Sequence, residues 1–250
     1  MTDSYRGFAG VYDLLMDNVP YDKWAQSYVS ILKEYGIDEG LICDLGCGTG
    51  NMTLRFKKAG YDMIGIDDSE DMLDIARKKD DDGNILFLLQ DMCSFELYGT
   101  VRAVTCVCDS VNYLLDEKDM LELFLHVNNY LDPGGIFIFD FNTDDKYRDL
   151  YGDSVIAENR EDVSFIWENE YDPESGINEC ALTVFARTQN GLFERFNELH
   201  LQRGYSLDVI KRLLKEAGME FLSAGTLPDA DGMSEEGRIL VIARERGKEK

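Results

Sequence analysis

The sequence predicts an α/β fold: a seven-stranded, mostly parallel sheet flanked by helices, with a small antiparallel β subdomain inserted late in the chain. Three observations carry that expectation. Apolar strand patterns alternate with helical ones from about residue 20 to residue 150, the rhythm of a parallel sheet with right-handed crossovers. A glycine-rich turn, Gly46, Gly48 and Gly50, follows the first apolar run directly. From about residue 154 to residue 202 the texture changes to β-branched and aromatic residues alternating with charges, the period-two pattern of a half-buried antiparallel strand.

In order, the parallel strands are expected at residues 40–45, 62–67, 84–89, 102–108 and 135–141. A helix from about Glu117 to Leu131 ends where Pro133-Gly134-Gly135 forbids its continuation. In the inserted segment, Val163-Ser-Phe-Ile-Trp167 shows the alternation, and Asp172-Pro-Glu-Ser-Gly176 and Gln189-Asn190-Gly191 supply turns. Ser206 caps a helix that carries Asp208 in its first turn and runs to Glu216, before Gly218. Strands at 219–224 and 238–244 then complete the sheet, the last one antiparallel. The expected organisation is an N-terminal helical lid (1–39), a ligand-binding core (40–150), the antiparallel insertion (151–203) and the C-terminal part of the core (204–250).

Length and composition agree. With 250 residues, 44% of them hydrophobic, the chain can bury one substantial core plus an insertion. Its net charge of −24, from 25 basic and 49 acidic residues, works against a polyanionic partner. The one basic run, Arg244, Arg246, Lys248 and Lys250, falls at the chain end. Nucleic acid is therefore not the expected partner, and a small, neutral or cationic molecule is. No apolar run reaches the roughly 18 residues of a membrane span. Met1-Thr-Asp-Ser-Tyr-Arg6 contains no apolar secretory segment, and the six cysteines lack metal-type spacing to the two histidines, so a reducing, cytoplasmic location is expected and no metal. Oligomeric state is not legible.

The chemistry begins at Asp44-Leu-Gly46-Cys47-Gly48-Thr49-Gly50. Glycines there let the backbone approach a nucleotide-like ligand above the end of a parallel strand. A dinucleotide fingerprint needs a third glycine where this chain has Asn51, and a Walker loop needs a lysine that does not come until Lys57. Asp44 would repel a pyrophosphate but suits a ligand bearing an ammonium and a sulfonium. S-adenosylmethionine is such a ligand. About 20 residues past the first glycine, Met63-Ile-Gly-Ile-Asp67-Asp68-Ser69 ends an apolar run in carboxylates that can accept both ribose hydroxyls, Asp67 ahead of Asp68. Ser69 reads as a helix cap with Met72 on the first turn. Ile85-Leu-Phe-Leu-Leu-Gln-Asp91-Met92 is another strand closed by an acid, and Ala103-Val-Thr-Cys-Val-Cys108-Asp109-Ser110-Val-Asn112-Tyr113 a fourth.

With these four elements over residues 40–141, the chain resembles the class I S-adenosylmethionine-dependent methyltransferases, whose first motif is acidic-x-Gly-x-Gly-x-Gly. The resemblance implies a Rossmann-like sheet with S-adenosylmethionine as cofactor. It also implies ribose held by Asp67, adenine packed on Met72, the adenine amino group bound by Asp91 and a ring nitrogen met by the Met92 backbone. Cys47 in the loop and Cys108 at the end of the fourth strand count with Asp44, Gly46, Gly48, Gly50 and Asp68 as cofactor contacts. Neither Cys106 nor Cys108 is assigned chemistry, since both alternate within an apolar strand. The proline-containing motifs of base-modifying methyltransferases are missing after the fourth strand.

The insertion ending in Glu198-Leu-His200-Leu-Gln-Arg203-Gly-Tyr205-Ser206, together with Val11-Tyr12-Asp13-Leu-Leu, is similar to the small-molecule N-methyltransferases, including the amino-sugar N,N-dimethyltransferases. That resemblance implies an insertion covering the acceptor and an aromatic, here Tyr12, closing over the cofactor. Methyl transfer to an amine needs alignment and desolvation rather than a covalent nucleophile. His200 is the candidate base because imidazole titrates near neutral pH, and His126 reads as structural. Tyr12 and Tyr113, with Tyr21 and Trp24, could wall a sulfonium or an amine. Ser110, Asn112, Tyr113, Trp167 and Arg203 are the candidate acceptor contacts. Three other readings stay open: an S-adenosylmethionine-binding sensor without transfer activity, an RNA methyltransferase, and a magnesium-assisted O-methyltransferase using Asp109, Asp140 and Asn142.

Overall fold

Residues 8–188, 190–227 and 236–248 are described by the structure, a computed structural model. The N-terminal hexapeptide, Gln189 and Lys250 lie outside the described residues. Along the chain, α1 (Ala9–Leu15) and α2 (Tyr21–Glu34) precede β1 (Leu41–Leu45), α3 (Asn51–Lys58), β2 (Asp62–Asp67) and α4 (Glu70–Lys79). Then come β3 (Leu86–Leu89), β4 (Val101–Cys106), α5 (Glu117–Tyr130) and β5 (Leu131–Asn142). The insertion holds β6 (Val155–Asn159), β7 (Val163–Asp172), β8 (Ile177–Arg187) and β9 (Phe193–Arg203), and α6 (Leu207–Glu216), β10 (Glu220–Gly225) and β11 (Arg238–Arg244) follow it.

The main sheet has the order β10-β11-β5-β4-β1-β2-β3, with β11 antiparallel to both of its neighbours and the rest parallel. Strand β1 reads as a continuous apolar run because helices cover both faces. Cys43 and Leu45 point to the layer of α5 and α6, where Leu123, Phe124 and Leu213 meet Phe137, Phe139 and Phe141. Ile42 points to the opposite layer, where Tyr28, Leu32, Phe56 and Leu73 come from α2, α3 and α4. Helix ends follow local chemistry. Ser69 and Ser206 cap α4 and α6 by accepting from the Met72 and Val209 amides, both at 3.3 Å. One boundary differs from expectation: α5 ends at Tyr130, and Leu131, fully buried, pairs with Val101 before the Pro133-Gly134 turn.

The insertion forms a separate antiparallel sheet, β6-β7-β8-β9. Its register stacks Trp167, Leu182 and Glu198 in one row and Asn169, Cys180 and His200 in the next. Cross-strand partners share a face, so Trp167, Glu198 and His200 all point the same way, back toward the core. The N-terminal segment divides. Helix α2 packs as a layer of the main sheet, whereas α1 bridges to the insertion through Val11, which clusters with Val163, Leu182 and Val184.

Candidate active site

The strand order reverses between β1 and β4, and at that switch point the carboxyl ends of the strands open a crevice, where ligands of doubly wound sheets bind. Here α1 and the insertion roof it into a cavity of about 960 Å³. Tyr12, Asp44, Gly46, Cys47, Gly48, Asp67, Asp68, Met72, Asp91, Met92 and Cys108 all stand in its wall. Gly50 does not. It takes φ +78° to start α3, and a Cβ there would lie 3.1 Å from the Ala76 Cβ, so its task is helix packing.

The loop geometry explains its glycines. Gly46 and Gly48 adopt φ of +63° and +54°, which disfavours side chains with a Cβ. A Cβ on Gly46 would sit 2.7 Å from Ser110 Cβ, while one on Gly48 meets only open space, leaving that backbone bare to a ligand. Asp67 holds the loop: Oδ2 accepts from Gly48 N at 2.7 Å and Oδ1 from Ser69 N at 3.0 Å. Each oxygen retains a second lone pair, so ribose hydroxyls could still be accepted. Asp44 is buried, and Thr53 and Thr105 hydroxyls donate to its two oxygens at 2.6 and 2.7 Å. Burial pushes its pKa up to about 6 against those two hydrogen bonds. It is therefore ionised at neutral pH and loses its charge as the medium is acidified through that value. Asp91 Oδ1 accepts from Cys93 N at 2.8 Å, forming the turn that presents Met92.

At the end of β4, Cys108 and Asp109 adopt left-handed φ of 67° and 51°, the only non-glycine residues to do so among the described residues. Such backbone costs about 1–3 kcal/mol per residue and needs support. Asp140 supplies it, its two oxygens accepting from the Cys108 and Asp109 amides, each at 2.9 Å. Arg238 bridges Asp140 (2.6 Å) and Asp109 (2.8 Å) and lies over the Trp24 ring, while Tyr28 and Gln202 hydroxyl and amide groups donate to Asp140 and Asp109. The carboxylates expected as magnesium ligands in one open reading thus share one guanidinium. Asn142 Oδ1, the third expected ligand, accepts from Lys146 Nζ at 3.0 Å.

The cavity wall also collects Tyr12, Ser110, Tyr113, Trp167 and His200, from α1, the loop after β4 and the insertion. Tyr113 Oη lies 3.1 Å from His200 Nδ1, and the Phe8 ring packs on the imidazole at 5.3 Å. Burial lowers the His200 pKa below its usual value, against the pull of Glu198. His200 Nε2 is buried without a hydrogen-bond partner. Two expected acceptor contacts fall elsewhere. Asn112 is fully buried behind the wall, its amide clamping the backbone of Asn142 and Arg203. Arg203 turns away to the Leu115 carbonyl and the Tyr205 ring. Conversely Arg238, Gln202, Phe8, Tyr151 and Phe165 line the cavity without having been marked by any sequence motif.

Helix α1 is latched over the loop by Asp13. Its Oδ1 accepts from Thr49 Oγ1 (2.7 Å) and Asn51 Nδ2 (2.8 Å), and Oδ2 pairs with Lys79 (2.5 Å). These partners hold its pKa below the usual carboxylate range in spite of partial burial. A depressed carboxylate stabilises the closed latch above its unfolded pKa, and that contribution is lost as pH falls through the folded value. Asp13→Ala is expected to weaken cofactor binding by about fivefold, equivalent to about 1 kcal/mol for charged hydrogen bonds at a half-exposed site. Calorimetric titration with S-adenosylhomocysteine checks this, and wild-type affinity in the variant would show that α1 needs no latch.

A methyltransferase domain family matches residues 42–135. The chain is 38% identical over 221 residues to "Putative methyltransferase YqeM" of Bacillus subtilis (strain 168), covering 86% of each protein. It superposes on a crystal structure of an S-adenosylmethionine-dependent methyltransferase from Clostridium acetobutylicum ATCC 824 with a TM-score of 0.84 and 27% identity, over 96% of this chain and 98% of that one. It is also 30% identical over 134 residues to a Streptomyces venezuelae dTDP-3-amino-3,4,6-trideoxy-alpha-D-glucopyranose N,N-dimethyltransferase, covering 53% of this chain and 56% of that protein. The fold and the glycine loop define a Rossmann-like, class I methyltransferase. This chain belongs to that family, and S-adenosylmethionine is its cofactor. Among the described residues, no helix is long and apolar enough to cross a membrane.

Proposed function

We propose that the protein methylates a small-molecule amine without a metal, and that His200 serves as the base. The observation that carries this is His200, which lines the same cavity as the glycine loop and whose Nε2 is buried without a hydrogen-bond partner. When bound, S-adenosylmethionine supplies a methyl group on a sulfonium, which an uncharged amine can accept by in-line displacement. Asp44, Asp67 and Asp91 would hold its ammonium, ribose and adenine ends respectively, with Met72 against the base and Tyr12 closing above. The resemblance to amino-sugar N,N-dimethyltransferases supports an amine acceptor.

The chain's own residues then have separable tasks. Trp167, Tyr113 and Phe8 exclude water and present aromatic faces to the acceptor. In the tautomer that serves as a base, His200 donates Nδ1–H to Tyr113 Oη and keeps the Nε2 lone pair for the amine proton. Burial favours the neutral imidazole against the pull of Glu198, and acidification is what removes that lone pair.

His200→Gln is expected to lower kcat by about a hundredfold. At saturating cofactor and acceptor, the wild-type kcat should show an acid limb displaced below the usual imidazole range, and the residual activity of the variant should lack that limb. The assay is S-adenosylhomocysteine production over a panel of primary and secondary amines, with matched alcohols as controls. Full kcat and an unchanged pH profile in the variant would remove His200 from the reaction. Cofactor binding with no turnover of any amine would favour a sensor.

A further inference from the structure

The cavity wall carries an electrostatic preference that narrows the acceptor, an inference resting on the amine reading above. Six of its described residues are carboxylates: Asp44, Asp67, Asp68, Asp91, Asp109 and Glu198. Its one basic residue among the described residues is Arg238, already engaged by Asp140 and Asp109. The first four acids belong to the cofactor end, and Asp109 is paired. Glu198 is different. It projects from β9 on the roof face, one row from His200 and across Leu182 from Trp167, and no lysine, arginine or hydrogen-bond donor of the described residues meets its carboxylate. Its only resolved influence is to favour the protonated form of His200.

We infer that Glu198 selects the acceptor by charge, and that the pocket takes a cationic or neutral amine with an apolar or aromatic body rather than one joined to a phosphate, a nucleotide diphosphate or a carboxylate. An anionic acceptor would sit beside the Glu198 carboxylate in a partly desolvated cavity with no free cation among the described residues to meet it, and like charges in such a site repel strongly. A protonated or quaternary nitrogen gains Glu198 on one side and the Trp167 and Phe8 faces on the other. The acceptor class therefore departs from the nucleotide-linked amino sugar named for the Streptomyces venezuelae relative.

The test uses probes that cannot be methylated, so binding is read apart from turnover. The full-length protein saturated with S-adenosylhomocysteine is titrated with benzyltrimethylammonium and, separately, with benzylphosphonate. The ammonium is expected to bind at least about tenfold more tightly, and Glu198→Gln to erase most of that preference while leaving S-adenosylhomocysteine affinity unchanged. Equal binding of the two probes, tighter binding of the phosphonate, or a preference that survives in Glu198→Gln would each overturn the inference. Turnover is measured in parallel with benzylamine and other amines. Ammonium selectivity without amine turnover would count against the proposed function alone, and efficient turnover of a phosphorylated amine against the charge preference alone.

Discussion

Asp67→Ala is expected to lose about a hundredfold in S-adenosylmethionine affinity, because one carboxylate performs two tasks. From the end of β2 it fixes the Gly48 and Ser69 amides at 2.7 and 3.0 Å, and it stands in the cavity wall where ribose is proposed to bind. Losing two charge-assisted hydrogen bonds costs roughly 3 kcal/mol, which corresponds to that factor. Asp67→Asn separates the tasks, since its Oδ1 can still accept one amide while its NH₂ faces the other donor. An intermediate loss is expected for it. Titration calorimetry with S-adenosylhomocysteine, alongside thermal unfolding, distinguishes lost binding from lost fold. Near wild-type affinity in Asp67→Ala would mean that ribose is held elsewhere.

Asp140→Ala is expected to have the largest effect on stability, about 3–5 kcal/mol, the usual result of removing one partner from a buried ion pair. It would take from Arg238 its buried carboxylate partner and leave the left-handed Cys108 and Asp109 amides without an acceptor. For a chain of this length that corresponds to a melting temperature lower by about 10 °C. The double substitution Asp140→Leu with Arg238→Met should recover part of the loss, because it also removes the buried guanidinium, while Asp109 keeps the Gln202 amide. It should not recover activity, since the backbone turn after β4 stays unsupported. An unchanged melting temperature in Asp140→Ala would refute the role assigned to this network.

The parts legible in the sequence were those written locally. Glycines at alternate positions behind Asp44, the acid at the end of β2 and the Ser69 cap are all spacing signals within one βαβ unit, and the structure places them together. The insertion was legible because its period-two pattern encodes one buried face. Arg238 was not, because its partners Asp140 and Asp109 are 98 and 129 residues away in sequence and become neighbours only through strand order. The latch from Asp13 to Thr49, 36 residues apart, is hidden in the same way. Asn112 and Arg203 were marked by position near the fourth strand and the roof, but position does not reveal which side chain the backbone will claim. Asn112 is claimed by three main-chain groups, the N–H and C=O of Asn142 and the C=O of Arg203. Glu198 was visible only as a neighbour of His200. Its significance appears once the cross-strand register puts it beside Trp167 on the roof.

The central claim is that methyl transfer takes place under the insertion, between the glycine loop and His200. A crystal structure with S-adenosylhomocysteine bound tests it most directly. The expected result places the adenosine along Asp67, Met72 and Asp91 and directs the sulfur into the space bounded by Tyr12, Tyr113, Trp167 and His200. A sulfur directed to open solvent, or turned from the insertion toward α2, would contradict it.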